Sequence, residues 1–418
     1  MSRRVSRKDV LRAMALASAG ALGDVLPGAA HAANAADATA TAPAGLTVAI
    51  GGVLLLDGRP FRGIGVNYLD AFYRLLLVPE PGPDDIARVR AGMEALAGYG
   101  IPFARIMGCG YWPVENRLYF DDKTEYLRRF ATVVDLAEET GVGLIPSLFW
   151  HTATATDLMD EPRNQWQAPA SRTHAFLRGY VRDVVRAFVG SPAIWAWEFG
   201  NEYNLDADLP NASDWRPPVV PELGTRLSRD ERDDLTHEQI HTAFRAFAGE
   251  VRRHDPRRII LSGNAAPRPS AWHQREYLSW DQDSRQEFAE ILRYENPDPL
   301  DALSVHQYAT VEQRFGTHVN VADFLQVCVR ESRKARKPLF VGEFGADEMA
   351  GHEVAAAGFD ELLDAIVTTG VPLAALWVYD FAGQDGTWNV TPDNGRQYQL
   401  EAIAEANQRL RPAATTIP

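Results

Sequence analysis

Two glutamates close apolar runs. Glu202 ends Ala193-Ile194-Trp195-Ala196-Trp197-Glu198-Phe199-Gly200-Asn201-Glu202, and Glu343 ends Leu339-Phe340-Val341-Gly342-Glu343. Short apolar runs of this kind read as buried strands, so each carboxylate is expected at a strand end, where a lone glutamate often does nothing but meet solvent. A pair says more. Cleaving a glycosidic bond takes a proton donor for the leaving oxygen and a second carboxylate facing the anomeric carbon, and two glutamates on opposite walls of a cleft supply both. One of the two must then hold a proton near neutral pH, while the other must stay ionised to attack. Arg105 lies in Phe103-Ala104-Arg105-Ile106-Met107. A charge inside an apolar strand is either the cation beside Glu343 or an ordinary buried ion pair. His306 and Tyr308 are two residues apart and share a strand face, so they either hydrogen-bond the two glutamates or form a polar strand end facing solvent. Glu198 lies within its strand and is read as a structural hydrogen-bonding group, not as the acid. Trp377 can stack on a pyranose face or fill core.

The elements that must position these groups alternate. Eight strands are predicted: Phe61 to Tyr68, Phe103 to Met107, Gly143 to Trp150, Ile194 to Phe199, Arg258 to Ser262, Ala302 to Tyr308, Leu339 to Phe344 and Ala374 to Tyr379. Amphipathic helices are predicted at Pro83 to Tyr99, Asp122 to Thr140, Ser171 to Val189, Thr236 to His254, Val321 to Lys337, Glu353 to Thr369 and Gln399 to Arg409, several stopped by glycine or proline. Eight such units make a (β/α)8 TIM barrel, with Glu202 and Glu343 ending strands four and seven. The catalytic domain, 46–412, exceeds the roughly 250 residues such a barrel needs by about a hundred. The surplus falls in 151–170, 203–235 and 263–299, read as irregular loops that wall a cleft at the C-terminal face, with Trp166, Trp215, Trp272 and Trp280 as candidate platforms for further sugars. Residues 46–60 read as a short N-terminal hairpin capping the other mouth.

With these residues on these strands, the chain resembles glycoside hydrolase family 5, of the cellulase/mannanase-like clan of retaining (β/α)8 glycosidases. The resemblance runs from Leu46 to about Pro412 and rests on motifs falling on the expected strands in order. It implies the supporting roles of Arg105 after strand two, His151 after strand three, Asn201 beside the acid and binding the sugar 2-hydroxyl, His306 and Tyr308 after strand six, and Trp377 after strand eight. It implies hydrolysis by double displacement, with Glu202 as general acid/base and Glu343 as the nucleophile that forms a glycosyl-enzyme. The wording Trp197-Glu198-Phe199-Gly200-Asn201-Glu202 is similar to β-mannanases of the family and to some exo-acting members, so mannan or glucan leads as substrate. An exo-acting β-glycosidase, a transglycosylase on the same scaffold and a catalytically silent carbohydrate-binding barrel stay open.

Composition narrows the partners. Forty-two Lys+Arg against 56 Asp+Glu give a net charge of −14, the wrong sign for gathering phosphates, so no nucleic acid is expected. A neutral carbohydrate substrate suits this charge. Two cysteines, Cys109 and Cys328, without metal-ligand spacing predict free thiols, no metal and no cofactor. Residues 1–32 combine Arg3, Arg4, Arg7, Lys8 and Arg12, an alanine-rich apolar run and Ala30-His31-Ala32, which predicts a twin-arginine-like export signal peptide and a secreted or periplasmic protein. Residues 33–45 read as a flexible linker and 413–418 as a tail. No later stretch is long and apolar enough to span a membrane, and a monomer is expected.

Overall fold

Eight parallel strands carry the apolar runs. The computed structural model describes residues 45–309 and 313–411. The barrel strands are Gly63–Asn67, Phe103–Met107, Gly143–Phe149, Ala196–Gly200, Ile259–Leu261, Leu303–Tyr308, Leu339–Gly345 and Leu373–Leu376, one at each predicted place. Strand eight returns to pair in parallel with strand one, Leu373 opposite Gly63, so the sheet curls into a barrel. Between strands five and six the described residues form no ladder, and side chains bridge the seam instead. Asp301 N–H donates to the Ile260 carbonyl at 3.0 Å, and its carboxylate accepts from Ile260 N–H at 2.7 Å. Asn296 Oδ1 accepts from Ser262 Oγ at 2.7 Å and from Ser304 N–H at 3.1 Å.

Around the barrel lie helices Pro83–Gly98, Lys123–Thr140, Arg172–Phe188, His237–His254, Arg285–Tyr294, Val321–Ala335, His352–Thr369 and Gln397–Leu410. The segment 263–299, read from the sequence as irregular, contains Ala271–Tyr277 and Arg285–Tyr294, the latter being the helix of the fifth unit. Its apolar stripe is only Phe288, Ile291 and Leu292, too short to stand out among charged residues, although the Ser284 and Glu287 capping box marks its start. Such a helix is held by tertiary packing more than by its own pattern.

Alternation splits the strands into two faces. The inward residues at the N-terminal end are apolar: Phe103, Ile145, Ala196, Ile259, Phe340 and Leu373 form one cluster, closed from below by Leu46 and Leu54. These last two belong to a three-stranded antiparallel sheet, Leu46–Val48, Leu54–Leu56 and Arg59–Pro60, tied to the barrel by Leu46 N–H donating to the Trp195 carbonyl at 2.9 Å. The large Phe103 ring fits because strand one offers Gly65 opposite it, where a Cβ would lie 2.3 Å from the Phe103 carbonyl oxygen. One layer further along the strands the inward side chains turn polar. The predicted export segment 1–32, residues 33–44 of the linker and the tail 413–418 lie outside the described residues.

Candidate active site

Two residues past Phe103 on the same face is Arg105, 0% exposed. Its guanidinium is the hub of the polar layer. Nε donates to Glu198 at 2.7 Å, Nη1 to Glu343 Oε1 and to Asn67 Oδ1, both at 3.0 Å, and Nη2 to Asn201 Oδ1 at 2.9 Å. Burial pulls Arg105 down, but the charges of Glu198 and Glu343 outweigh it and hold its pKa above the ordinary value. Glu198 is therefore an ion-pair partner inside the barrel, its side chain wholly buried.

Glu343 reaches this layer through a register change. Val341 pairs with Val305, but Glu343 pairs with His306, so strand seven carries one extra residue, Gly342, relative to strand six. The pairing with strand eight slips in the same place. Phe340 faces inward and strict alternation would turn Glu343 outward among the helices; the β-bulge restores it to the cleft. Only glycine fits at the bulge, because a Cβ there would stand 2.8 Å from His306 Nε2.

Strand six supplies the rest. His306 Nδ1 sits 2.9 Å from Glu202 Oε1 and 3.4 Å from Glu343 Oε2, and the Tyr308 hydroxyl donates to Glu343 Oε2. Both oxygens of Glu343 are thus occupied by donors, one of them cationic. Glu202 occupies a left-handed backbone conformation, φ 54° and ψ 30°, at a cost of about 1–2 kcal/mol for a non-glycine residue. The turn is pinned by Glu202 N–H to the Gly263 carbonyl at 2.9 Å and Asn201 N–H to the Trp150 carbonyl at 3.2 Å.

The structure thus brings Arg105, Asn201, Glu202, His306, Tyr308 and Glu343 into one hydrogen-bonded network. His151 and Trp377 stand beside it. His151 packs on Tyr111, with ring centroids 4.8 Å apart, and its Nδ1 is 3.3 Å from Thr154 Oγ1; burial, with the charges of Arg163 and Arg229, lowers its pKa to about 3. It is therefore a neutral imidazole. Trp377 lies nearly parallel to Trp150, 6.3 Å between centroids, and is held by Gln384 Oε1 at 2.9 Å. Three participants escaped the sequence reading: Asn67, Trp150, over whose ring Arg105 lies at 4.6 Å, and Trp388, packed edge-on to Tyr308 at 5.1 Å. Asn67 ends the apolar strand Gly63–Asn67, the same polar-end signal that singled out Glu202.

Of the loop tryptophans, Trp166 is no platform. It is 0% exposed, packed against Phe149, Phe199 and Tyr203, with Nε1 donating to the Thr152 carbonyl. Trp280 is exposed, Trp272 half-buried against His273 and Tyr277, and Trp215 half-buried with the Arg268 guanidinium 5.0 Å over its ring. Cys109 is buried beneath Trp150 N–H, and burial pushes its thiol up to about 12.

Two groups bring metal-type donors together, Glu202 with His306 and Glu343, and His273 with Asp283 and Glu287. In the first, Arg105 already supplies the positive charge to Glu343. In the second, Asp283 accepts from Trp272 N–H and His273 N–H, while Glu287 caps its helix at Ser284.

Behind Glu202 the loop is anchored by a buried chain. Asn204 donates to Glu295, and His237 bridges Glu295 at 3.3 Å and Asp208 at 2.6 Å. Burial alone would lower His237, but hydrogen bonds to Asp208 and Glu295 carry it up to about 9. Because its unfolded value is about 6.5, this protonation stabilises the fold fully below that pH and is lost as pH rises through about 9. Melting temperature is expected to fall across that window, and a melt series of His237→Gln should show a flatter profile; an unchanged slope would contradict the assignment.

The model of Cellulase (glycosyl hydrolase family 5) matches residues 99–382. The chain belongs to glycoside hydrolase family 5. This family 5 hydrolase has no match among curated protein sequences. Its fold is shared with an endo-1,4-β-mannanase from Rhizomucor miehei at TM-score 0.60 and 12% identity, covering 87% of this chain and 99% of that one. An endo-β-1,4-mannanase from Thermotoga petrophila aligns at TM-score 0.58 and 16% identity over 87% and 79%. A GH5_18 protein from Streptomyces cattleya in complex with Manβ1-4GlcNAc aligns at 0.58 and 20% over 85% and 82%. Among the described residues of the hydrolase, no helix is long and apolar enough to cross a membrane.

Proposed function

We propose that this family 5 hydrolase cleaves a neutral β-linked polysaccharide, mannan before glucan, with retention at the anomeric carbon. Glu343 attacks that carbon while Glu202 protonates the departing oxygen; Glu202 then takes a proton from the water that releases the sugar. The observation that carries this reading is the spacing of the two carboxylates, whose oxygens lie within 4.8 Å of each other on either side of His306. Retaining enzymes hold the pair about 5–5.5 Å apart, whereas inversion needs about 6.5–9.5 Å to seat a water between them. Arg105 and Tyr308 both donate to Glu343 and aim it as the nucleophile, which leaves the proton to Glu202, whose Oε1 lies 2.9 Å from His306 Nδ1. Trp377 offers the sugar a stacking face.

The mannan preference is supported by the mannanases that share the fold and by the motif from Trp197 to Glu202. An exo-acting enzyme on short mannosides is the second reading, favoured by the disaccharide bound in the Streptomyces cattleya protein. Export through the segment 1–32 completes the proposal, since a polymer must be met outside the cell. Proton NMR of the first product from β-mannan should show the β-anomer before mutarotation. The α-anomer appearing first would overturn retention, and a glucan degraded faster than mannan would overturn the preference.

A further inference from the structure

Asn67 is fully buried on strand one and hydrogen-bonds strands two, seven and eight. Its Nδ2 donates to the carbonyl of Gly342, the bulge residue, at 2.9 Å, and reaches the Ala375 and Leu376 carbonyls at 3.3 and 3.2 Å. Its Oδ1 accepts from Arg105 Nη1, the same nitrogen that serves Glu343, at the same 3.0 Å. Its own carbonyl receives Tyr379 N–H at 2.9 Å, just beyond Trp377. A single amide therefore fixes the backbone that turns Glu343 inward and the guanidinium fork that faces it.

We propose that Asn67 is a positioning residue for Glu343, acting through the Gly342 bulge and Arg105. The proposal rests on the assignment of Glu343 as nucleophile and extends it. Three carbonyls converge on Nδ2, so the amide must present N–H there and oxygen to Arg105; no other neutral side chain of this size offers donor and acceptor in that geometry. Without it the bulge carbonyl loses its partner, and Arg105 is held by Glu198, Asn201 and Glu343 alone.

The test compares wild type, Asn67→Ala and Asn67→Asp with 2,4-dinitrophenyl β-mannobioside and its 2-deoxy-2-fluoro analogue, which traps the glycosyl-enzyme. In Asn67→Ala, trapping at Glu343 should slow by roughly 10- to 100-fold, since a misplacement near 1 Å costs about that much. KM should stay within about twofold of wild type. Asn67→Asp keeps the shape and the acceptor for Arg105 but lacks the donor to Gly342, and should also trap more slowly; it carries the test if the alanine variant fails to fold. A purely structural role would lower the melting temperature and the folded fraction while leaving trapping per folded site unmoved. That result, with wild type labelled at Glu343, overturns the proposal alone. Wild type trapped at another residue would overturn the nucleophile assignment and this proposal together.

Discussion

Glu343→Ala should lower kcat by about 100,000-fold, the scale seen when a nucleophile is removed from an otherwise intact site. The fold should survive the change. Arg105 keeps Glu198 at 2.7 Å, so the loss of Glu343 leaves a balanced buried pair and not an orphaned cation. The emptied space sits between Arg105 and Tyr308, both of which donated to the missing carboxylate. Sodium azide should enter it and attack the anomeric carbon of an activated β-glycoside directly, expelling the phenolate and giving the α-glycosyl azide. Hydrolysis persisting near the wild-type rate, or azide giving no rescue with an activated substrate, would sink the assignment.

The second large effect belongs to Glu202. Its replacement by alanine should cost about 100- to 10,000-fold on substrates with poor leaving groups, the usual contribution of a positioned proton donor. On a dinitrophenyl glycoside, whose leaving group needs no proton, formation of the glycosyl-enzyme should be almost untouched, and the intermediate should then accumulate because no base activates water. Azide needs no base either, and should release it as the β-glycosyl azide. The basic limb of the kcat/KM profile should vanish, since it reports the proton held beside His306. An equal loss on good and poor leaving groups would remove Glu202 from the acid role.

Much of this site was legible because it follows from strand ends. A charge or amide closing an apolar run has to leave the barrel at its C-terminal rim, and that reasoning places Glu202 and Glu343 without knowledge of any loop. Arg105 beside both Glu198 and Glu343 was half-visible, as a cation that an apolar strand could not otherwise tolerate. Three features were hidden. Trp166 lies in a loop-like stretch by sequence, yet its ring is enclosed by Phe149, Phe199 and Tyr203, which come from other segments. Helix Arg285–Tyr294 owes its place to packing, with only three buried side chains to advertise it. Asn67 carried a visible signal but no evident task, because its partners lie about 40 to 310 positions away along the chain.

The extra glycine in strand seven makes catalytic competence a matter of counting. Insertions and deletions in the loops above the barrel can alter what the enzyme grips while sparing the reaction, because loops absorb length. Strand seven has no such slack: a one-residue slip that flattened the bulge and paired Gly342 with His306 would swing Glu343 into the helical shell, where Phe344 now packs on Phe359. The barrel's hydrogen-bond count would hardly change, and its activity would be gone. Variation in this enzyme's lineage should therefore run freely in length above the rim and, across Val341 to Phe344, be limited to changes that keep Glu343 opposite His306, so that specificity and chemistry diversify through different kinds of mutation.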